Sequence, residues 1–325
     1  MAIRIGFIGS GWISSAHCEA LKEIEDVAFV AFADIQKERA DAAAAKYGGA
    51  AYSDYHEMLD REKLDALYVC VPPFAHYDQE IITARKGIHL FIEKPIALNM
   101  DKAKEIRDAI HENGVIASVG YLARYSSSIE TVKEMLAGRE VAMILGYFMT
   151  SMPPTPWWRV LNESGGQMVE QTTHIFDLAR YIAGDITEVY AAYGLRALQD
   201  VPNFDIWDVG TAAVKFANGA VGTIYNTCVL SAGQRVGLHV VCRDLVLEMK
   251  LDGSLTIIQP GKTETIEPRW YPIPAENQAF IKAIKTGDKS LIRSTYCDAM
   301  KTLAVTLAAN ESAATGKPVQ VTIDG

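Results

Sequence analysis

Up to about residue 120 the chain alternates short apolar runs with segments of helical period, and this alternation constrains the fold more than any other feature. Runs at 3–8, 27–33, 66–71, 88–92 and 115–119 read as strands, and 37–46, 74–86 and 101–113 read as helices. Parallel neighbours need a crossover, and a helix is the usual one, so this rhythm predicts a doubly wound parallel sheet. After about residue 140 the helices thin out. Apolar runs at 142–150, 187–195, 208–216, 220–230, 237–242 and 245–250 follow one another, with Asn218-Gly219 and Asp252-Gly253 as hairpin turns. That part reads as an antiparallel sheet. A last helix over 297–315 ends at Gly316 with Pro318 just beyond, and is expected to pack back on the first domain. The expected fold class is α/β, with a parallel-sheet domain at 1–122 and an α+β domain at 123–325.

A chain of 325 residues, 49% apolar and 22% charged, is long enough for two packed domains. The formal charge of -9, with acids and bases mixed along the chain, offers no basic stripe for nucleic acid and no polybasic segment for a membrane surface. Cys18, Cys70, Cys228, Cys242 and Cys297 are scattered and odd in number, which argues for reduced thiols rather than a disulfide framework. With no basic leader and no apolar run of about 18 residues, the expected location is cytoplasmic.

Chemistry enters at the end of the first strand. The turn Gly9-Ser10-Gly11-Trp12-Ile13-Ser14 joins strand to helix. Gly9 permits the bend, and Gly11 leaves the backbone open to a pyrophosphate resting on the helix N-terminus, beside Trp12 and Ile13. Ser14 stands where a third small residue is wanted. Asp34 lies 23 residues beyond Gly11, near the roughly 20-residue offset at which a carboxylate binds the adenosine ribose hydroxyls. Such a carboxylate repels a 2′-phosphate and favours NAD, with NADP as the alternative because Lys37 and Arg39 follow. Asp34 could instead cap the next helix.

Two further loops leave the carboxyl ends of strands, where ligands of open parallel sheets bind: Val71-Pro72-Pro73-Phe74-Ala75-His76 and Glu93-Lys94-Pro95. Lys94 reads either as a group that polarises a substrate hydroxyl or as a surface lysine. His76 reads as a cofactor contact or a structural histidine. Farther on, a helix over 169–183 would set Glu170 and His174 one turn apart, with Asp177 in reach of the histidine or free to cap. A carboxylate and an imidazole so placed can exchange a proton with a hydroxyl. No second histidine stands near His174 at ligand spacing, so no metal is expected.

Gly9-x-Gly11, Asp34, Pro72-Pro73-x-x-His76, Glu93-Lys94-Pro95, Gly120-x-x-x-Arg124 and Gly165-Gly166 leading to His174-x-x-Asp177 occur in one order. In these motifs the chain resembles the Gfo/Idh/MocA family, the glucose-fructose oxidoreductase and inositol dehydrogenase relatives. The resemblance spans essentially the whole chain. It implies an N-terminal Rossmann domain, a C-terminal domain on a large open antiparallel sheet, and homodimers or homotetramers formed through that sheet. It also implies that Lys94 is the catalytic lysine and His174 the acid/base histidine. Glu170 falls where many members carry aspartate.

The segment Pro153-Pro154-Thr155-Pro156-Trp157-Trp158-Arg159 offers two tryptophans and a guanidinium, suited either to a sugar ring or to a subunit interface. Tyr121 and Arg124 are further candidates for lining the substrate. The expected activity is oxidation of a secondary hydroxyl on a sugar, glycoside or cyclic polyol by NAD, with Lys94, His174 and Glu170 handling the proton. The rival readings are a glycosidase or epimerase-like enzyme that retains NAD, and a non-catalytic dinucleotide sensor.

Overall fold

The computed structural model describes residues 2–322. They fall into two compact units. The first runs to Leu122 and takes in Ile273–Cys297; the second holds Ala123–Pro272 and resumes at Asp298. The chain therefore crosses between units at 122/123, where a single division was expected, and again at 272/273 and 297/298.

In the first unit the order is β1 (Ile3–Ile8), α1 (Trp12–Lys22), β2 (Val27–Ala33), α2 (Lys37–Tyr47), β3 (Ala50–Tyr52), α3 (Tyr55–Arg61), β4 (Ala66–Val69), α4 (Gln79–Arg85), β5 (His89–Ile92), α5 (Met100–Glu112) and β6 (Ala117–Val119). The six strands pair in parallel in the order β3-β2-β1-β4-β5-β6. Strand order reverses between β1 and β4, so the loops at their carboxyl ends diverge and open a crevice there.

Register lines up one aromatic from each of four neighbouring strands, Phe32, Phe7, Tyr68 and Phe91. Their rings stack at centroid separations of 5.3, 4.9 and 4.8 Å. Phe280, on α10 (Pro272–Thr286), meets Tyr68 and Phe91 edge-on at 5.7 and 5.6 Å. Phe280, Ile281 and Ala283 are buried in this core, and each large apolar side chain so covered contributes about 1.5–3 kcal/mol. That burial attaches α10 to a sheet some 200 residues upstream in the chain.

The second unit contains α6 (Ile129–Leu136), β7 (Val141–Met149), α7 (Leu161–Ser164), α8 (Gln167–Glu170), α9 (Thr173–Ala183), β8 (Ile186–Gly194), β9 (Val209–Phe216), β10 (Val221–Thr227), β11 (Arg235–Cys242), β12 (Leu245–Lys250), β13 (Leu255–Gln259) and β14 (Lys262–Ile266). Most of α11 (Tyr296–Thr315), and β15 (Val319–Gln320), complete it. The nine strands run in the order β14-β13-β12-β11-β7-β10-β9-β8-β15. All neighbours are antiparallel except β7 and β10, which pair in parallel, so the sheet is mixed rather than wholly antiparallel.

Period-two alternation gives this sheet one apolar inner face, with Ile144, Val189, Val214, Ile224 and Leu238 buried. Helix α9 lies on that face. A side chain at Gly146 would come within 2.5 Å of Ile175, so the glycine in β7 allows α9 to approach. The opposite face carries Met143, Tyr190, Val221 and Tyr225, all exposed.

Candidate functional site

The two glycines of the first turn differ in what they require. Gly9 has φ +86°, and a Cβ there would lie 2.2 Å from the Cys70 carbonyl oxygen, so the end of β4 excludes any side chain. Gly11 has φ -85°, which any residue adopts, and nothing lies within 4 Å of where its Cβ would be. Nothing within the chain therefore demands glycine at 11; the space suits a group that arrives from outside. Gly11 is the N-cap of α1 without a side-chain capping bond, and the first turn carries no acidic residue. Its free amides and dipole therefore face outward unopposed, as an anion site needs.

Asp34 stands at the end of β2 and ties it to this turn. Its Oδ2 accepts from the Ser10 N–H at 2.8 Å and its Oδ1 from the Gln36 N–H at 2.8 Å. The N-cap of α2 is Gln36, not Asp34. A half-buried carboxylate held by two amides keeps lone pairs for ribose hydroxyls and opposes a 2′-phosphate. These residues fit a dinucleotide. Trp12 is 80% and Ile35 91% exposed, two apolar side chains left uncovered beside the turn. Ile13 instead packs partly against the core, and Ser14 is buried, a small residue where α1 meets the sheet.

After β4, Val71 and Pro72 are half-buried and Phe74 and Tyr77 exposed. His76, expected as a cofactor contact, points inward: its Nδ1 lies 2.5 Å from Glu80 Oε1, one turn into α4, and both side chains are buried. Burial of a lone carboxylate is costly, and His76 is its partner. Glu93, also expected at the cofactor, is likewise an internal group. Its Oε1 accepts from His17 Nε2 at 2.9 Å and its Oε2 from the Lys94 N–H at 3.2 Å. A Cβ on Gly120 would sit 2.4 Å from Glu93 Oε1, so that glycine makes room for the carboxylate. Lys94 is half-buried and joined to Pro95 by a cis peptide. Tyr121, beyond β6, is buried in the same unit.

In the second unit the helix expected over 169–183 is two helices. Gly165 and Gly166, both with positive φ, start α8, which stops at Glu170; α9 begins at Thr173. Glu170 thus ends one helix, and His174, 8% exposed, lies in the first turn of the next. Asn226 Nδ2 donates to Thr172 Oγ1 at 2.9 Å and Gln167 Nε2 to the Thr227 carbonyl at 3.1 Å, pinning the junction to β10. Trp158, expected either against a sugar ring or at a subunit interface, is 1% exposed in a cluster with Phe204, Ile206 and Cys228. Its indole Nε1–H donates to Glu170 Oε2 at 2.7 Å, so it holds the candidate carboxylate from behind. Trp157 packs partly on the same cluster, and Arg159 Nη1 donates to the Pro202 carbonyl at 3.4 Å.

Arg124, expected to line the substrate, is 2% exposed and committed elsewhere. Its Nε and Nη2 donate to Asp177 at 2.8 and 2.6 Å, it also pairs with Asp298, and its guanidinium lies over Tyr181. Burial opposes the charge, but the two carboxylates outweigh it and raise the guanidinium above its ordinary value. Asp177 therefore serves Arg124 rather than His174.

Several residues escaped the sequence reading. His17 holds Glu93 and is itself held by Asn277. Asp208, fully buried, accepts from the amides of Arg196, Ala197 and Leu198 at 2.8, 2.6 and 2.8 Å and so fixes the loop after β8. None carries a local motif.

Comparison with known proteins matches residues 3–121 to the oxidoreductase family with an NAD-binding Rossmann fold, and 129–248 to the GFO/IDH/MocA C-terminal domain. A myo-inositol 2-dehydrogenase of Thermotoga maritima is 31% identical over 231 residues, covering 69% of this chain and 68% of the relative. The scyllo-inositol 2-dehydrogenase (NAD(+)) of Bacillus subtilis is 25% identical over 99% of this chain and 97% of its own. A levoglucosan dehydrogenase solved with NADH superposes with a TM-score of 0.87 at 20% identity, over 99% of this chain and all of the other, a likeness of fold. With both domain models matched in order and a relative 31% identical over 69% of the chain, the chain belongs to the GFO/IDH/MocA family of oxidoreductases.

Proposed function

We propose that this protein oxidises a secondary hydroxyl of a cyclic polyol, sugar or glycoside with NAD, inositols being the first substrates to try. The observation that carries the reading is the open approach at Gly11 beside the Asp34 carboxylate, a cradle for a dinucleotide without a 2′-phosphate. Its substrate class rests on two relatives named inositol dehydrogenases, one 31% identical over 69% of this chain and one 25% identical over 99% of it. NAD, when bound, supplies the hydride acceptor.

In this reading Gly9, Gly11, Trp12, the Ile13 amide, Asp34, Val71 and Pro72 bind the cofactor. Lys94 donates to the substrate oxygen, and His174 takes the hydroxyl proton with Glu170 fixing its neighbour's orientation. Trp157 and Arg159 border the substrate, while Trp158 and Arg124 act as supports. The exposed face of the second sheet, where Met143 pairs with Val221, Tyr147 with Tyr225, and Tyr190 shares the side, supports a homodimer or homotetramer built on that face. All five cysteines are unpaired, which supports a reducing, cytoplasmic setting. No helix among the described residues is long and apolar enough to cross a membrane.

The test is nicotinamide absorbance across a panel of inositols, pyranoses and glycosides, with Lys94→Ala alongside. Substrate-dependent NADH in the wild type, lost in the variant while NAD binding persists, supports the reading. No reduction across the panel, with NAD released only on denaturation, would favour an enzyme that retains its cofactor.

A further inference from the structure

Behind the Lys94 turn lies a buried cluster whose groups come from α1, the end of β5 and α10. His17, Glu93 and Glu276 each place a donor atom within 4.8 Å of the others, and all three are buried. The hydrogen-bond directions in this pocket are determined. Asn277 Nδ2 donates to the Ile273 carbonyl at 2.7 Å, and Tyr68 Oη donates to Asn277 Oδ1 at 2.8 Å, which fixes the amide's orientation. Asn277 Nδ2 then also donates to His17 Nδ1 at 2.9 Å, so Nδ1 carries a lone pair and the ring proton sits on Nε2, aimed at Glu93 Oε1. In this arrangement the Nε2–H faces the Glu93 carboxylate. Glu93 accepts from two N–H donors. Glu276 is 1% exposed, and neither of its oxygens has a hydrogen-bond partner.

We propose that Glu276 is a positioning residue for Lys94: buried beside Glu93 with no hydrogen-bond partner, its carboxyl stays neutral, so it does not displace the carboxylate that accepts from the Lys94 amide. When Glu276 ionises, it places a charge against the Glu93 carboxyl in a buried cluster, and Glu93 Oε2 moves off the Lys94 N–H. Burial first, and Glu93 second, push the Glu276 carboxyl well above the carboxylate range. The titratable groups facing it are Glu93, His17, Tyr68 and Cys70, with Cys18 close behind; His17 is held as the Nε2–H tautomer and the others bring no positive charge. The inference deepens the reading of Lys94 as the catalytic lysine.

The test uses the full chain labelled with ¹³C at glutamate Cδ and ¹⁵N at lysine, titrated by NMR from about pH 5 to about pH 10. The expected result is one glutamate carboxyl still protonated at neutral pH, with the Lys94 amide resonance shifting at the same alkaline midpoint. Both signals vanish in Glu276→Gln; if that variant does not fold, Glu276→Asp assigns the resonance by displacing it. A Glu276 carboxyl that titrates in the ordinary range, or a Lys94 amide that ignores its titration, overturns the proposal. Neither measurement needs substrate, so it stands or falls separately from the dehydrogenase reading, which substrate turnover tests.

Discussion

Gly9→Ala and Gly11→Ala should fail in opposite ways, although the two glycines stand one residue apart. At Gly9 the φ of +86° alone costs an L-residue roughly 1–2 kcal/mol. The new Cβ would also lie 2.2 Å from the Cys70 carbonyl oxygen, backbone that moves only if β1 and β4 part at their ends. Together these should remove about 3 kcal/mol or more of a total stability of about 5–15 kcal/mol. At Gly11 the backbone is ordinary and the added methyl meets nothing within 4 Å, so the loss is limited to the poorer N-cap, about 1 kcal/mol or less. What the methyl does obstruct is the approach of a pyrophosphate to the first-turn amides. A displacement that costs one good hydrogen bond to a charged group is worth about 1.5–3 kcal/mol, or at least tenfold in NAD affinity. Urea unfolding and calorimetric NAD titration of both variants separate the cases. Wild-type NAD affinity in a folded Gly11→Ala protein would refute the assignment of the cradle.

Other consequences can be checked alongside. Trp158→Phe removes the indole donor to Glu170, and is expected to lower kcat about tenfold with NAD affinity unchanged, measured by steady-state kinetics. Tyr225→Lys places a charge on the exposed sheet face and should leave thermal stability intact while sedimentation shows a smaller species. Because the folded chain keeps a proton on Glu276 that the unfolded chain has released, stability should fall as pH rises above the ordinary carboxyl range, by about 1.4 kcal/mol per unit until Glu276 ionises. Urea unfolding at stepped pH should show a flatter slope for Glu276→Gln.

The glycine turn, the place of Asp34 after β2 and five of the six parallel strands were legible because their signals are local, apolar runs with turn residues between them; the three-residue β3 (Ala50–Tyr52) is too short to give such a run. The large sheet was legible as alternation, but its parallel β7–β10 pair was not, since neighbour order depends on where 150–185 carries the chain. Helix α10 went unread because what fixes it is Phe280 against Tyr68 and Phe91, a contact across some 200 residues. The same distance hid the support for Glu93, whose His17 is bonded to Asn277 across 260 residues of chain. Arg124 and Trp158 were read as substrate groups since a guanidinium or an indole serves a site or a core equally well in sequence. Burial distinguished them: Arg124 is spent on the buried Asp177, and Trp158 lies in a core cluster with its indole on the half-buried Glu170.

The central claim is that a carbinol hydrogen of a polyol passes to NAD on this protein. Incubating the chain with NAD and inositol deuterated at its carbinol carbons, then weighing the recovered cofactor by mass spectrometry, tests it directly. Reduced nicotinamide carrying one deuterium is the predicted result, lost in Lys94→Ala. Bound NAD that is never reduced by deuterated inositols, pyranoses or glycosides would contradict it.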